Sequence, residues 1–341
     1  MDATKILNTL VDKKDLTAAE ARQFLIDVMD GVISPVQTGA ILTAFRMKGE
    51  SMSEVKGLIE GMREKMLPVH AEGAIDIVGT GGGAADPFNI STASAFVARG
   101  AGAKIAKHGN RAASSKCGSA DVLEALGVRI VLTPAQAEDV FKNAGMVFLF
   151  APQYHPSMKQ VVLVRKELKI RTIFNALGPF SNPAGTKRQL VGVPNISLAE
   201  KLAEVARGLE YKHLLVVTSE DGMDEISTSA QTHVFEITER HVKKYMIDPA
   251  QLGFKKAELS SLQSGGPEEN AAMIREILSG EKGPKRDIVI LNAGVALYVA
   301  GIAKDVEQGI ALAAESIDSG KAKQALDNLV KEAQRFADNA K

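Results

Sequence analysis

The stretch Ile75-Asp76-Ile77-Val78-Gly79-Thr80-Gly81-Gly82-Gly83, followed by Phe88-Asn89-Ile90-Ser91-Thr92, decides the fold. A β-branched run that empties into four glycines within five residues reads as a strand ending in a loop with bare backbone N–H groups. Glycine removes the obstructing side chains and tolerates positive φ. The next segment, Thr92-Ala93-Ser94-Ala95-Phe96-Val97, reads as a helix that Ser91 or Asn89 can cap. Strand, glycine loop and helix N-terminus in that order form an anion cradle, and they place the chain in the α/β class.

Two common glycine signatures do not account for the cradle. A P-loop closes on Gly-Lys-Ser/Thr, whereas Gly83 is followed by Ala84-Ala85-Asp86-Pro87. The dinucleotide pattern is met formally by Gly79, Gly81 and Ala84, but where it needs an acidic residue about 20 positions on, the chain has Lys104. A nicotinamide oxidoreductase is therefore disfavoured.

Outward from the cradle lie two charged devices. Lys107-His108-Gly109-Asn110-Arg111-Ala112-Ala113-Ser114-Ser115-Lys116-Cys117-Gly118-Ser119 follows a strand-like run at 103–106 and reads as a basic, hydroxyl-rich loop, suited to a polyanion such as pyrophosphate. Leu214-Leu215-Val216-Val217 reads as a buried strand, and after it Glu220, Asp221, Asp224 and Glu225 crowd four carboxylates into six residues. Adjacent Asp224 and Glu225 suit Mg²⁺, which takes one or two protein carboxylates and completes its shell with water and substrate phosphate. A structural zinc site is not available, because Cys117 is the single cysteine and the six histidines are not at ligand spacing. Alone, the three devices have plainer readings as a glycine turn, a solvated basic loop and an exposed acidic turn. One phosphorylated ligand accounts for all three together.

At this point the motifs resemble a known family. Gly79-Thr80-Gly81-Gly82, Phe88-Asn89-Ile90-Ser91-Thr92, Lys107-His108-Gly109-Asn110-Arg111, Gly118-Ser119-Ala120-Asp121, His155-Pro156, Arg171-Thr172-Ile173-Phe174-Asn175, Gly178-Pro179, Asn182-Pro183-Ala184 and Asp221-Gly222-Met223-Asp224-Glu225 span nearly the whole chain. In order and spacing they resemble the anthranilate phosphoribosyltransferase family. The resemblance implies transfer of phosphoribosyl from phosphoribosyl pyrophosphate to anthranilate, a step of tryptophan biosynthesis. It also implies a fold like that of nucleoside phosphorylases and class III phosphoribosyltransferases.

Residue by residue, the resemblance assigns donor contacts to Gly79, Gly82, Gly83, Asn89, Ile90, Ser91, Thr92, Lys107, Ser115 and Ser119. It assigns metal ligation to Ser91, Asp224 and Glu225, with two Mg²⁺ ions when the donor is bound. Anthranilate falls to Gly79, His108, Asn110, His155, Arg165 and Pro179, with the planar fork of Arg165 on the carboxylate. No covalent nucleophile or dedicated base is implied, and Lys107, His108 and Arg165 are supporting groups. A homodimer through the helical domain is also implied, as is a return of residues 158–180 to that domain. This chain departs from the family pattern twice: Gly83 stands where an aspartate is usual and Pro87 where a threonine is common. Asp86 is a candidate substitute for the missing carboxylate.

Pyrimidine nucleoside phosphorylases share the expected architecture but handle inorganic phosphate, and a nucleic-acid-binding relative would carry a basic excess. The 341 residues have zero formal net charge, which opposes the second. Their length suits two domains. A lone cysteine fits a reducing compartment. The N-terminus lacks a secretory apolar core and no 18-residue apolar run follows, so the expectation is a cytoplasmic protein without membrane contact.

The capping-box spacings at Thr17-Ala18-Ala19-Glu20, Ser34-Pro35-Val36-Gln37 and Ser51-Met52-Ser53-Glu54 begin helices in the first 67 residues. The expected organisation is a small N-terminal helical domain, 1–70, and an α/β domain, 71–341, with a mainly parallel β-sheet flanked by helices. Strands are expected at 75–78, 103–106, 146–150, 189–193 and 214–217, with a hairpin at 232–237 and 241–245. Helices are expected at 268–278 and from 302 onward.

Overall fold

The structure, a computed structural model, describes residues 2–83, 87–112, 115–239, 241–263 and 265–337. The chain forms two compact units, Met1–Pro68 with Ala151–Pro183, and Val69–Phe150 with Ala184–Lys341.

The first unit is helical: Ala3–Val11, Ala18–Met29, Pro35–Lys48, Met52–Lys65 and, from the returning segment, Lys159–Leu168. All three capping boxes form, with the hydroxyls of Thr17, Ser34 and Ser51 accepting the N–H of Glu20, Gln37 and Glu54. The apolar stripes meet around Phe24 and Phe45, whose ring centroids are 5.8 Å apart. Glu54 does more than cap: its buried carboxylate also accepts the Leu16 N–H at 2.9 Å and the Lys48 ammonium at 2.9 Å, which pins the loop before the second helix. The returning segment is Ala151–Pro183, longer than the 158–180 expected. It is stitched on by Leu67 N–H to Tyr154 O at 2.8 Å and Arg63 Nε–H to Phe180 O at 2.7 Å.

The second unit holds one seven-stranded sheet: β1 (Ile75–Gly79), β2 (Ile105–Gly109), β3 (Met146–Phe150), β4 (Arg188–Gly192), β5 (His213–Ser219), β6 (Thr232–Thr238) and β7 (His241–Ile247). Their order is β3-β2-β1-β4-β5-β6-β7. The first five are parallel, and β6 and β7 add an antiparallel hairpin at one edge. Because the chain winds outward through β1, β2 and β3 and resumes at β4 beside β1, the order reverses between β1 and β4. A crevice opens outside the carboxyl ends at such a point.

Two elements differ from expectation. Strand β2 starts at Ile105 instead of residue 103, since Gly102 (φ +102°) turns the chain out of the preceding helix and the Ala103 N–H is still held by Ala98 O at 3.0 Å. The 17-residue helix Pro284–Ala300 was not foreseen. It is buried on nearly every side, so it lacks the polar face that makes a helix legible as periodicity. Among the described residues, no helix is long and apolar enough to cross a membrane.

Candidate functional site

The crevice at β1 and β4 is lined by the glycines after β1, by Gly192 at the end of β4 and by the acidic segment after β5. Thr80 N–H donates to Gly192 O at 2.9 Å, and Gly81 N–H donates to Asp224 Oδ2 at 2.8 Å, tying the glycine loop after β1 to the acidic segment after β5. Gly81 and Gly82 have φ of 70° and 83°, a left-handed backbone that glycine adopts without strain. The approach is close enough that a Cβ on Gly79 would meet the Asp224 carboxylate, and one on Gly192 would land on the Asp224 carbonyl oxygen. A Cβ on Gly83 would sit 2.6 Å from Gly222 O, so the absence of the usual aspartate here accompanies a tight approach of the acidic turn. Asp86 lies outside the described residues.

The acidic segment is held in shape by its own side chains. Asp221 accepts the Met223 N–H at 3.2 Å and the Ser227 hydroxyl at 2.6 Å, so it serves the loop and leaves Asp224 to face the glycines. Glu225 is half-buried, with its Oε2 atom out of reach of solvent and unbonded. Burial first, then the neighbouring Asp224 charge, pushes its carboxyl well above the usual range, while Lys107 pulls it back. A buried carboxyl pair that resists double ionisation is one a divalent cation stabilises. The candidate donors Asp224, Glu225 and the Ser91 hydroxyl offer only oxygen, a chemistry that would suit Mg²⁺ better than zinc.

Lys107 and His108 belong to β2, not to the loop after it, and both are buried. This corrects the expected loop starting at Lys107, whose basic residues the structure divides. The Lys107 ammonium donates to Ile77 O on β1 and to the Ser91 hydroxyl, the latter at 3.1 Å. Desolvation lowers its pKa to about 8, opposed by the carboxylates of Asp76 and Glu225. Asp76, overlooked in the sequence, is fully buried and accepts the His108 N–H at 3.2 Å between the two strands. Arg111 is engaged elsewhere: it pairs with Asp121 at 3.0 Å and with Glu124, and lies over the Phe150 ring.

The helix Ile90–Gly100 starts beside the cradle with Asn89 at its N-cap position, but neither Asn89 nor Ser91 caps it through a side chain. Instead Asn89 Nδ2 donates to Cys117 O at 3.1 Å and its backbone N–H to Asn270 Oδ1 at 3.1 Å, while its Oδ1 and Thr92 Oγ1 are buried and unbonded. Ile90 and Thr92 are buried beside Ser91. Asn110 O accepts the Ser119 hydroxyl at 3.4 Å, closing the loop on which Ser115 is exposed.

The remaining residues assigned to anthranilate lie in the helical unit. Arg165, half-buried on Lys159–Leu168, is stacked 6.0 Å from the Phe174 ring centroid, and desolvation lowers its pKa. His155 Nε2 donates to Ser181 O at 3.0 Å, two residues beyond buried Pro179. Burial lowers the His155 pKa to about 4, against a weaker opposing effect of that hydrogen bond. The unfolded chain takes up this proton first, so the contribution is complete above about pH 6.5 and lost as pH falls towards 4. Melting of the protein across that window should fall more steeply than melting of His155→Gln, by about 1–3 kcal/mol in total. Parallel curves would contradict a neutral buried His155.

Two signals for the overlooked residues were present in the sequence: Asp76 is a lone charge within a strand, and Asn292 a lone amide within Ile288-Val289-Ile290-Leu291-Asn292-Ala293-Gly294-Val295.

Comparison with known proteins agrees with this fold. Residues 71–323 match the glycosyl transferase family a/b domain, and residues 4–66 match the helical bundle domain of the same family. An anthranilate phosphoribosyltransferase of Dehalococcoides mccartyi is 46% identical over 334 residues, 97% of this chain and 98% of the relative. One from Acetivibrio thermocellus is 47% identical over 329 residues, covering 96% and 95%. The crystal structure of the Thermus thermophilus anthranilate phosphoribosyltransferase superposes with a TM-score of 0.91 at 40% identity, covering 98% of this chain and all of that one. The Saccharomyces cerevisiae enzyme, solved in complex with PRPP and Mg, gives 0.90 at 28% identity, with 98% of each chain covered.

Proposed function

The chain belongs to the anthranilate phosphoribosyltransferase family, and from that premise we propose how its residues transfer the phosphoribosyl group of phosphoribosyl pyrophosphate to the amine of anthranilate. The products are N-(5-phosphoribosyl)anthranilate and pyrophosphate. In the reaction the amine nitrogen bonds to the anomeric carbon as the bond from that carbon to the pyrophosphate oxygen breaks. The amine proton, acidic only after bonding, leaves to solvent. Anthranilate's amine is neutral near pH 7, so no dedicated base is required.

The ribose ring gains positive charge and the departing group negative charge, so the useful groups are those aimed at the pyrophosphate. Lys107 and the side-chain-free approach at Gly79, Gly82 and Gly83 serve that side, with Asn89, Ile90, Ser91, Thr92, Ser115 and Ser119 positioning the donor. Asp224, Glu225 and the Ser91 hydroxyl would hold Mg²⁺, two ions with the donor bound, and the metal would supply neutralisation of the phosphate charge. His108, Asn110, His155 and Pro179 position anthranilate, and Arg165 takes its carboxylate. The single observation that carries this reading is the hydrogen bond from Gly81 to Asp224, which brings the acidic pair to the glycine loop.

The direct test is loss of anthranilate fluorescence when the protein is mixed with Mg²⁺, phosphoribosyl pyrophosphate and anthranilate. A protein that instead cleaves thymidine with inorganic phosphate and no metal would refute the reading. Arg165→Ala should raise KM for anthranilate by about a hundredfold, since a charge-assisted fork is lost, and KM for the donor far less. Equal rises in both would remove Arg165 from the acceptor site.

The reading extends to a cytoplasmic homodimer joined through the helical unit, supported by exposed Val11, Val36 and Met47, which share one apolar groove of that unit. Val36→Glu with Met47→Glu should halve the mass measured by light scattering. A wild-type protein already monomeric at micromolar concentration would contradict the dimer.

A further inference from the structure

We infer that Asn292 is a positioning residue: its side-chain amide grips the backbone of Ile226 and so keeps Asp224 and Glu225 at the glycine loop. The inference rests on the reading of that pair as the donor's metal site.

Asn292 sits on the helix Pro284–Ala300 among buried apolar neighbours, itself only 3% exposed. Its Oδ1 accepts the Ile226 N–H at 3.0 Å, and its Nδ2 donates to Ile226 O at 2.8 Å and to Ile288 O at 2.9 Å. One side chain thus takes both backbone groups of the residue next to Glu225, as a neighbouring strand would. Only a side-chain amide presents a donor and an acceptor at that spacing.

The location explains why such a grip matters. Ile226 is fully buried and lies between β5 and β6, outside the ladder that pairs those strands, so its N–H and C=O need partners from elsewhere. Upstream, Asp224 is held by the Gly81 N–H and the turn by Asp221 with Ser227. Downstream of Glu225, the Asn292 amide supplies the matching restraint. Two adjacent carboxylates directed into a buried crevice repel each other, and a loosely held chain would relieve that repulsion by turning one of them away. Gripped on both sides, the segment keeps its carboxylates facing the cradle.

A polar residue satisfied within a core would show the same hydrogen bonds, so the test separates position from stability. Calorimetric titration of phosphoribosyl pyrophosphate at a series of Mg²⁺ concentrations is combined with melting and with amide exchange of residues 219–228. Asn292→Ala and Asn292→Asp should each raise the Mg²⁺ concentration for half-maximal donor binding by about tenfold or more, as loss of residues that orient metal ligands commonly does. Exchange in 219–228 should quicken. Ser94→Ala removes a different buried bond onto the same helix, Ser94 Oγ to Val289 O at 3.3 Å. It should lower the melting temperature while leaving the Mg²⁺ dependence in place.

Asn292 variants that melt early yet keep the wild-type Mg²⁺ dependence would overturn the inference, and failure of both to fold would count against it equally. Glu225→Gln distinguishes the two levels. A shift in that variant without one in the Asn292 variants defeats the positioning role alone, whereas no shift in Glu225→Gln defeats the metal reading and the inference with it.

Discussion

Replacing Asp224 by Asn together with Glu225 by Gln is expected to lower kcat/KM by roughly a hundred- to a thousandfold, while the free protein melts no earlier than wild type. The two halves of this expectation have one physical source. A metal clamp on a departing phosphate contributes several kcal/mol of charge stabilisation, and each 1.4 kcal/mol or so is a factor of ten in rate. In the free protein the same pair is a liability. Glu225 is held well above its ordinary pKa by burial and by Asp224, and neutral amides of equal size relieve that repulsion. Rate measurements at saturating and limiting Mg²⁺, set beside a melting curve, check both halves. Retained activity with an unchanged Mg²⁺ titration would take the pair out of the site. A large loss of stability would show that the carboxylates are structural.

Gly192→Ala is the second large effect, and it is a test of shape. Gly192 ends β4, and a methyl group there would overlap the carbonyl oxygen of Asp224, a backbone atom that cannot rotate aside. The acidic segment must move, or β4 must. Overpacking of this kind costs about 1–3 kcal/mol or more, and here the displaced atoms carry the proposed metal ligands. Donor binding should fall by about a hundredfold, since a misplacement of order an ångström is that costly. Gly79→Ala should destabilise the fold less, because its methyl meets the end of the Asp224 side chain, which can rotate away, but that rotation displaces a proposed metal ligand, so donor binding should fall here too. Melting ranks the two, and calorimetric donor binding checks the loss in each. Equal affinities for wild type and Gly192→Ala would mean that the segment tolerates displacement and that its close approach is incidental.

Much of this was readable before any coordinates, and the exceptions share a cause. Thr17, Ser34 and Ser51 announced their helices because a capping box is complete within four residues. The glycine loop and the crowded carboxylates stood out because both are anomalies of composition over short windows. Lys107 was misplaced because a lysine ordinarily signals a solvated loop. What makes it a strand residue is the Ile77 carbonyl 30 positions away. Asn89 and Ser91 were expected to cap their helix, but their side chains engage Cys117 and Lys107, partners no local rule names. The helix Pro284–Ala300 escaped notice because burial on nearly every side erases the polar face by which helices are found.

The sequence by itself determined the class of fold and the starts of the first helices, and it marked the glycine loop and the crowded carboxylates as the candidate site. These follow from short-range chemistry: φ preferences, capping and charge density along the chain. Tertiary structure alone decided that Gly81 meets Asp224 across 143 residues, that Lys107 is buried between strands, and that Asn292 holds the chain beside Glu225. Those contacts depend on strand order. The placement of β4 beside β1, with β5 next to it, is a matter of which apolar faces pack together, and no local window of sequence contains that energy.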